Sequence, residues 1–339
     1  PEPGEVYRWN WSTPFMLSPH NPRTLYAGGN RLFKSVDRGD TWTTGPDLTR
    51  DLEPEELDIR GVSGGLPACG DVRGEPCILS KIDGVSFYGT MTTLDESPLV
   101  PGVLWVGTDD GNVQVSRDDN RTWTEVSANV EGEGADCWVS RVEASHFDPA
   151  TAYVAFDCHR SGDLRPHLYV TRDFGASWTA IDGGLPEFGN VNVVQQDPKN
   201  PSLLYVGTEF GFFVSLDEGR TWSELMTGLP TVRVDDVVVH PREGDLVLGT
   251  HGRGALILDD ITALQQLTPE VLERAVHLFQ PREAVLWRVD ATLARGSTGV
   301  KHFYGRNPEF GTALSYYLRE PTDGPAVLTV TDAVTGQVF

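Results

Sequence analysis

Apolar and polar positions alternate in short runs over most of this chain, and the runs come in a fixed order. The stretches "SPHNPRTLYAGGNRLFKS" from Ser18, "SPLVPGVLWVGTDDGNVQVS" from Ser97, "HFDPATAYVAFDCHRSGDLRPHLYVT" from His146 and "QDPKNPSLLYVGTEFGFFVS" from Gln196 share one plan. Each has a Pro-marked turn, a run rich in Tyr, Val and Leu, a polar or Gly-containing loop, and a second alternating run, which predicts strand, loop, strand. An apolar stretch precedes each Pro turn, as in "NVNVVQQ" from Asn190 and "RVDDVVV" from Arg233, and adds a strand. A fifth copy, "VHPREGDLVLGTHGRGALILDD" from Val239, follows the same order.

A turn closes the first four copies: "SVDRGDTW" at Ser35, "SRDDNRTW" at Ser116, "TRDFGASW" at Thr171 and "SLDEGRTW" at Ser215. The aspartates Asp37, Asp118, Asp173 and Asp217 can each accept backbone N–H groups inside a tight turn, a structural role. Gly, or Asn at Asn120, tolerates positive φ there. The tryptophan then opens a fourth strand. The fifth copy lacks the turn.

Four-stranded units repeated in series predict an all-β fold, a β-propeller, in which radial repetition limits exposed sheet edges. Five blades are expected, over residues 5–45, 86–127, 138–182, 190–228 and 232–260, within a propeller region 1–265. The tryptophans at 42, 123, 178 and 222 are unevenly spaced because insertions fall between them, the Gly- and Pro-rich segment 46–85 being the largest. Residues 266–309 are expected to form a helix and linker packed on the propeller. Thr268 caps "TPEVLERAVHLF" and Pro269 lies in its first turn. From 310 to 339 alternating runs separated by "PTDGP" and "AVTGQ" predict the start of a β-sandwich module, cut off in mid-hairpin. The native polypeptide is therefore expected to continue in both directions, with open edges covered by further blades of the same precursor or by a partner subunit.

The formal net charge of −22 argues against a nucleic-acid partner. No apolar run reaches the roughly 18 residues that a membrane span needs. Cys69 and Cys77 lie within that insertion and bracket a Gly-rich stretch, where a short disulfide would tie down a loop; Cys137 and Cys158 fall before the first and after the second strand of the third blade, so they could approach one another. No nucleophile elbow, zinc helix, phosphate loop or calcium loop occurs, and no cofactor or metal is expected.

The four turns resemble the Asp-box, or BNR repeat, of sialidases, of some xyloglucan-cleaving glycoside hydrolases and of the VPS10 domain of sortilin-type receptors. More closely, "RWNWSTPFMLSPHNPRTLYAGGNRLFKSVDRGDTW", "VLWVGTDDGNVQVSRDDNRTW" and "GTHGRGALILDD" resemble large secreted bacterial VPS10-domain or BNR-repeat "glycosyl hydrolase-like" proteins. The resemblance implies a secreted, periplasmic or cell-surface setting. It also implies Asp boxes on the face opposite the functional mouth, so that loops joining second and third strands open on the ligand side.

Those loops carry Asn30 and Arg31, Asp109 and Asp110, Asp157, His159, Arg160, Asp163 and Arg165, Glu209, and His251 and Arg253. For an enzyme, Asp109, Asp110, Asp157 and Glu209 are the candidate catalytic carboxylates, since glycoside cleavage uses two, one as acid and one as base or nucleophile. Asp110 with Gly111 equally fits a type I′ hairpin turn. Arg31, His159, Arg160, Asp163, Arg165, His251 and Arg253 are candidates for ligand binding, and Tyr88, Trp138, Phe210 and Phe212 for sugar-stacking aromatics. Two functions are expected: a sortilin-like propeller binding a protein, peptide or polysaccharide without catalysis, or a glycoside hydrolase of the Asp-box type. Fold alone does not choose between them.

Overall fold

The computed structural model describes residues 6–50, 88–132, 137–284 and 311–339. They form two compact units, 1–259 and 260–339. The Cys69 and Cys77 pairing and most of the 46–85 insertion lie outside the described residues.

The first unit is a β-propeller array. Blade one comprises β1 (Phe15–Leu17), β2 (Leu25–Gly28), β3 (Arg31–Ser35) and β4 (Thr43–Asp47). Blade two comprises β5 (Met91–Glu96), β6 (Leu104–Thr108), β7 (Val113–Ser116) and β8 (Thr124–Glu125). Blade three has β9 (Trp138–Ala144), β10 (Ala152–Asp157), β11 (His167–Thr171) and β12 (Thr179–Ala180). Blade four has β13 (Val191–Gln196), β14 (Leu204–Thr208), β15 (Phe212–Ser215) and β16 (Ser223–Glu224). Each is an antiparallel meander in sequence order. Blade five, β17 (Val234–Val239), β18 (Leu246–Thr250) and β19 (Gly254–Leu258), has three strands, in keeping with its missing turn.

The four aspartate turns join third to fourth strands and share one hydrogen-bond pattern. In the last, Asp217 Oδ1 accepts from Thr221 N at 2.8 Å and Oδ2 from Thr221 Oγ1 at 2.7 Å, while Gly219 N donates to Ser215 Oγ at 2.8 Å. Asp37, Asp118 and Asp173 accept in the same way from Thr41, Thr122 and Ser177. Two successive residues have positive φ in every turn, so Arg38, Asp119, Phe174 and Glu218 join the expected Gly or Asn. Trp178 and Trp222 reach back to the preceding blade, donating to the carbonyls of Val126 and Ile181.

Between blades the core is apolar. Trp105, Val139, Val154 and Phe156 are buried in one cluster; Ala155, Leu168, Val194 and Leu204 lie in another. The second residues of β2, β6 and β10, Tyr26, Trp105 and Tyr153, face the next blade. Tyr26 there donates to Glu96 of blade two at 3.3 Å, and Tyr153 lies 3.1 Å from the Gln196 amide of blade four. These bonds tie blades together where apolar contact alone has no direction.

The second unit departs from the expected long helix. Thr268 caps the turn, its Oγ1 accepting from Val271 N at 3.4 Å, but the α-helix ends at Leu272. Val276–Leu278 instead pairs antiparallel with Tyr316–Leu318. β-Branched Val276 favours strand over further helix, and Val276 and Leu278 remain exposed on it.

Candidate functional site

The first strands of blades two to five carry a repeated irregularity. Register shifts at one residue each, passing over Thr92 in β5, Ser140 in β9, Asn192 in β13 and Asp235 in β17. A bulge leaves one residue unpaired and re-aims its side chain. All four bulged side chains line one cavity of about 700 Å³. Three also donate to the next blade: Thr92 Oγ1 to Val139 O at 2.6 Å, Ser140 Oγ to Val191 O at 2.7 Å, and Asn192 Nδ2 to Val234 O at 3.3 Å. The fourth, Asp235, breaks the series, because a carboxylate has no proton to give.

Basic groups partner the carboxylates of this cavity. Asp235 accepts from Arg233 Nε at 2.5 Å, and Asp236 is paired with Arg141. Asp157 Oδ1 lies 2.6 Å from His159 Nδ1 and accepts from the His159 backbone N–H at 3.0 Å. Burial works against the Arg233 cation, but Asp235, Glu209 and Asp157 outweigh it and push its pKa up. Trp138, half-buried in the wall, carries the Arg160 guanidinium 5.0 Å from its ring centroid. Blade one contributes Asn10, Ser12 and Phe15.

Of the residues expected from sequence, the cavity gathers Asp157, His159, Arg160 and Trp138. Glu209 stands outside the lining, 3.1 Å from Arg233 Nη1. Asp109 and Asp110 are buried and outside its lining, although Asp109 accepts from Asn10 Nδ2 of the lining at 3.5 Å. Asp109 accepts from Thr90 N and Thr90 Oγ1, and burial pushes its carboxyl up to about 6 against those bonds. Asp110 accepts from Thr108 Oγ1 and Arg50 N; burial raises it as well. Of Asp110 and Gly111 only the glycine has positive φ, so this turn is not type I′, which needs both.

The other candidates serve local structure or the surface. Asn30 is buried and donates to Asp47, and Arg31 donates to Gly45 O. Asp163 holds Arg165 at 2.7 Å and His167 at 3.0 Å; the Arg165 hydrogen bonds, foremost, keep its pKa well below the usual carboxylate range. His251 is exposed, 3.8 Å from Asp235, and Arg253 is exposed. Phe212 is core, stacked on Tyr205, whereas Phe210 is exposed and Tyr88 half-buried, both outside the lining.

Sequence reasoning missed Asn192, Arg233, Asp235, Asp236 and Arg141. The bulged positions among the lining residues, Thr92, Ser140, Asn192 and Asp235, share a signal, a polar residue directly after an apolar one near the start of the first strands of blades two to five, in "MTT", "VSR", "VNV" and "VDD"; Arg233, Asp236 and Arg141 carry no such mark.

No family model matches the chain. Over 182 residues it is 37% identical to an oligoxyloglucan-reducing end-specific xyloglucanase of Emericella nidulans, a match covering 49% of this chain and 17% of that protein. The chain thus spans about a sixth of that relative's length. Among solved structures it is similar to a GH74 xyloglucanase from Xanthomonas campestris, with TM-score 0.50 and 15% identity over 77% of this chain and 38% of the other. An ancestral GH74 enzyme superposes with TM-score 0.49 and 13% identity, over 73% of this chain and 29% of that one. At 15% identity the likeness to the Xanthomonas enzyme is one of fold.

Proposed function

We propose that the cavity binds a neutral polysaccharide, and that this is the function of the propeller. The observation that carries the reading is the wall formed by Trp138 under Arg160 beside the Asp157–His159 pair. A sugar offers hydroxyls that both donate and accept, and a C–H face that lies against an indole. Carboxylates, amides and hydroxyls on the first strands supply the polar half of that match, and Trp138 supplies the apolar half. Each lining carboxylate has a basic partner, so an uncharged ligand meets no bare charge, while the net charge of −22 opposes a polyanion.

A second reading, cleavage of the bound glycan, is favoured by the identity with the xyloglucanase. Asp157 and Asp235 are its carboxylates. One would protonate the leaving glycosidic oxygen while the other takes a proton from water or attacks the sugar. The test is titration of xyloglucan oligosaccharides and other neutral glycans, with mass analysis of products. Binding without new reducing ends supports the first reading. Cleavage abolished by Asp157→Asn or Asp235→Asn supports the second, and no binding to any neutral glycan overturns both.

The finer placement we propose is an Asp-box propeller of secreted or periplasmic type. The four turns support it, and so does the Cys137–Cys158 disulfide, a bond that persists in oxidising compartments. Further blades, from the same precursor or a partner subunit, would cover the apolar side chains exposed on the end blades, Phe15 and Leu17 on β1, Ile257 and Leu258 on β19.

A further inference from the structure

We infer that the Cys137–Cys158 disulfide positions the cavity wall, holding Trp138 with Arg160 and Asp157 with His159 in the orientations that face a ligand. The inference rests on the site proposed above.

The β9–β10 ladder ends at the pair Trp138 and Asp157. One residue beyond that pair on each strand stand Cys137 and Cys158, joined with their Cα atoms 5.0 Å apart. The bond therefore continues the ladder by one covalent rung, where hydrogen bonding between the strands has stopped. Both cysteines are buried, so the rung belongs to the wall rather than to its rim.

The loop after Cys158 is the reason such a rung matters. Between second and third strands, blades two and four carry only the short stretches 109–112 and 209–211, whereas blade three carries 158–166. His159 and Arg160 belong to this longer loop. Its far half is fixed by Asp163, which accepts from Arg165 N at 3.0 Å and binds the buried His167. Its near half hangs on Cys158, whose carbonyl accepts from Ser161 N at 2.8 Å and Asp163 N at 3.2 Å. One wall contact then spans the rung and a second lies on its Cys158 side. Arg160, two residues after Cys158, lies over Trp138, one residue after Cys137; His159 folds back on Asp157. Without the disulfide, the loop and the β9 end, which carry the two halves of the Arg160–Trp138 contact, fray independently, and the loop that carries His159 loses its tie to β9.

The experiment uses the full chain with Cys137→Ala and Cys158→Ala together, labelled with ¹³C-histidine. His159 is assigned by a His159→Gln sample, and His20 and His240, neither of which lines the cavity, serve as reporters. The folded variant is expected to show a displaced or broadened His159 imidazole resonance with the reporters unmoved. Its affinity for the best neutral oligosaccharide is expected to fall about tenfold, as for any site that loses preorganisation. An unmoved His159 resonance in the folded variant overturns the inference. Should the variant not fold, the same spectra are recorded on folded native protein before and after mild phosphine reduction, with the same two outcomes. If the native protein binds no neutral glycan, the proposed function fails, yet the His159 resonance still decides the role of the disulfide.

Discussion

Gly207 in β14 and Val234 in β17 stand so close that a Cβ on the glycine would lie 2.7 Å from Val234 Cγ1 and 2.8 Å from the Val234 carbonyl oxygen. That carbonyl is the one Asn192 bonds across the blade junction. The glycine of "YVGT" thus lets the bulged first strands approach, and Gly107 of "WVGT" meets Val139 in the same way. Gly207→Ala is expected to cost about 2–3 kcal/mol, because backbone and a β-branched side chain must both move. Urea denaturation measures it, and a change within error of zero would show that the junction is slack.

The blades were legible because alternation and the aspartate turns are local. Thr43–Asp47 forms a strand where "TTGPD" has little strand character, because "DTW" before it fixes the corner. The cavity was far less legible. A bulge is one extra residue in a strand, and "VNVV" or "VDDV" reads as plain alternation until register is known. The loops carry Asp109 and Asp110 where sequence expects mouth carboxylates, but both are consumed by Thr90, Thr108 and Arg50 within the fold. Asp157, His159 and Arg160 were found because their loop is conspicuously long.

Asp217→Ala should destabilise the fold by about 1–2 kcal/mol, since the Thr221 N–H and hydroxyl both lose their acceptor in a half-buried turn. Melting temperature is the readout. A variant melting with the native protein would mean that water replaces the carboxylate without loss.

Two sets of aspartates act on stability with opposite sign as pH falls. Asp109 is pushed up from 3.8 to about 6, foremost by burial, so the folded chain binds this proton more tightly than the unfolded one. Its contribution rises as pH drops from 7 through 6 and levels off near the unfolded value. The turn aspartates are held low, Asp37 to about 2 by its bonds with Thr41; their contribution is complete above the unfolded value and is lost as pH falls through the folded one. Asp109→Asn should therefore make the stability gain between pH 7 and 5 shallower, by an amount on the order of 1 kcal/mol. Identical pH slopes in the two proteins would refute the assignment.

If the cavity binds glycan as proposed, Trp138→Ala should weaken oligosaccharide binding about tenfold while leaving the fold intact, because the half-buried indole leaves area facing the cavity. Calorimetric titration beside thermal melting separates the two effects. Unchanged affinity would remove Trp138 from the binding surface.

Asn192 offers the sharpest test of the ladder between first strands. Its Nδ2 donates to Val234 O at 3.3 Å and its Oδ1 accepts from Asn190 Nδ2 at 2.9 Å, with the side chain buried. Asn192→Asp keeps shape and the acceptor but sets a carboxylate oxygen against a carbonyl oxygen, which should cost about 1–3 kcal/mol at pH 7. The new carboxyl is buried beside an acceptor, and both effects raise its pKa above the ordinary value, so it takes up a proton on mild acidification and can then donate to Val234 O. The deficit relative to the native protein should accordingly shrink between pH 7 and pH 4.5. Asn192→Leu, which has no proton to regain, should show no such recovery. Paired urea titrations of the three proteins across that range are the measurement, and a constant Asn192→Asp deficit would mean that the Asn192 amide does not hold blades four and five together.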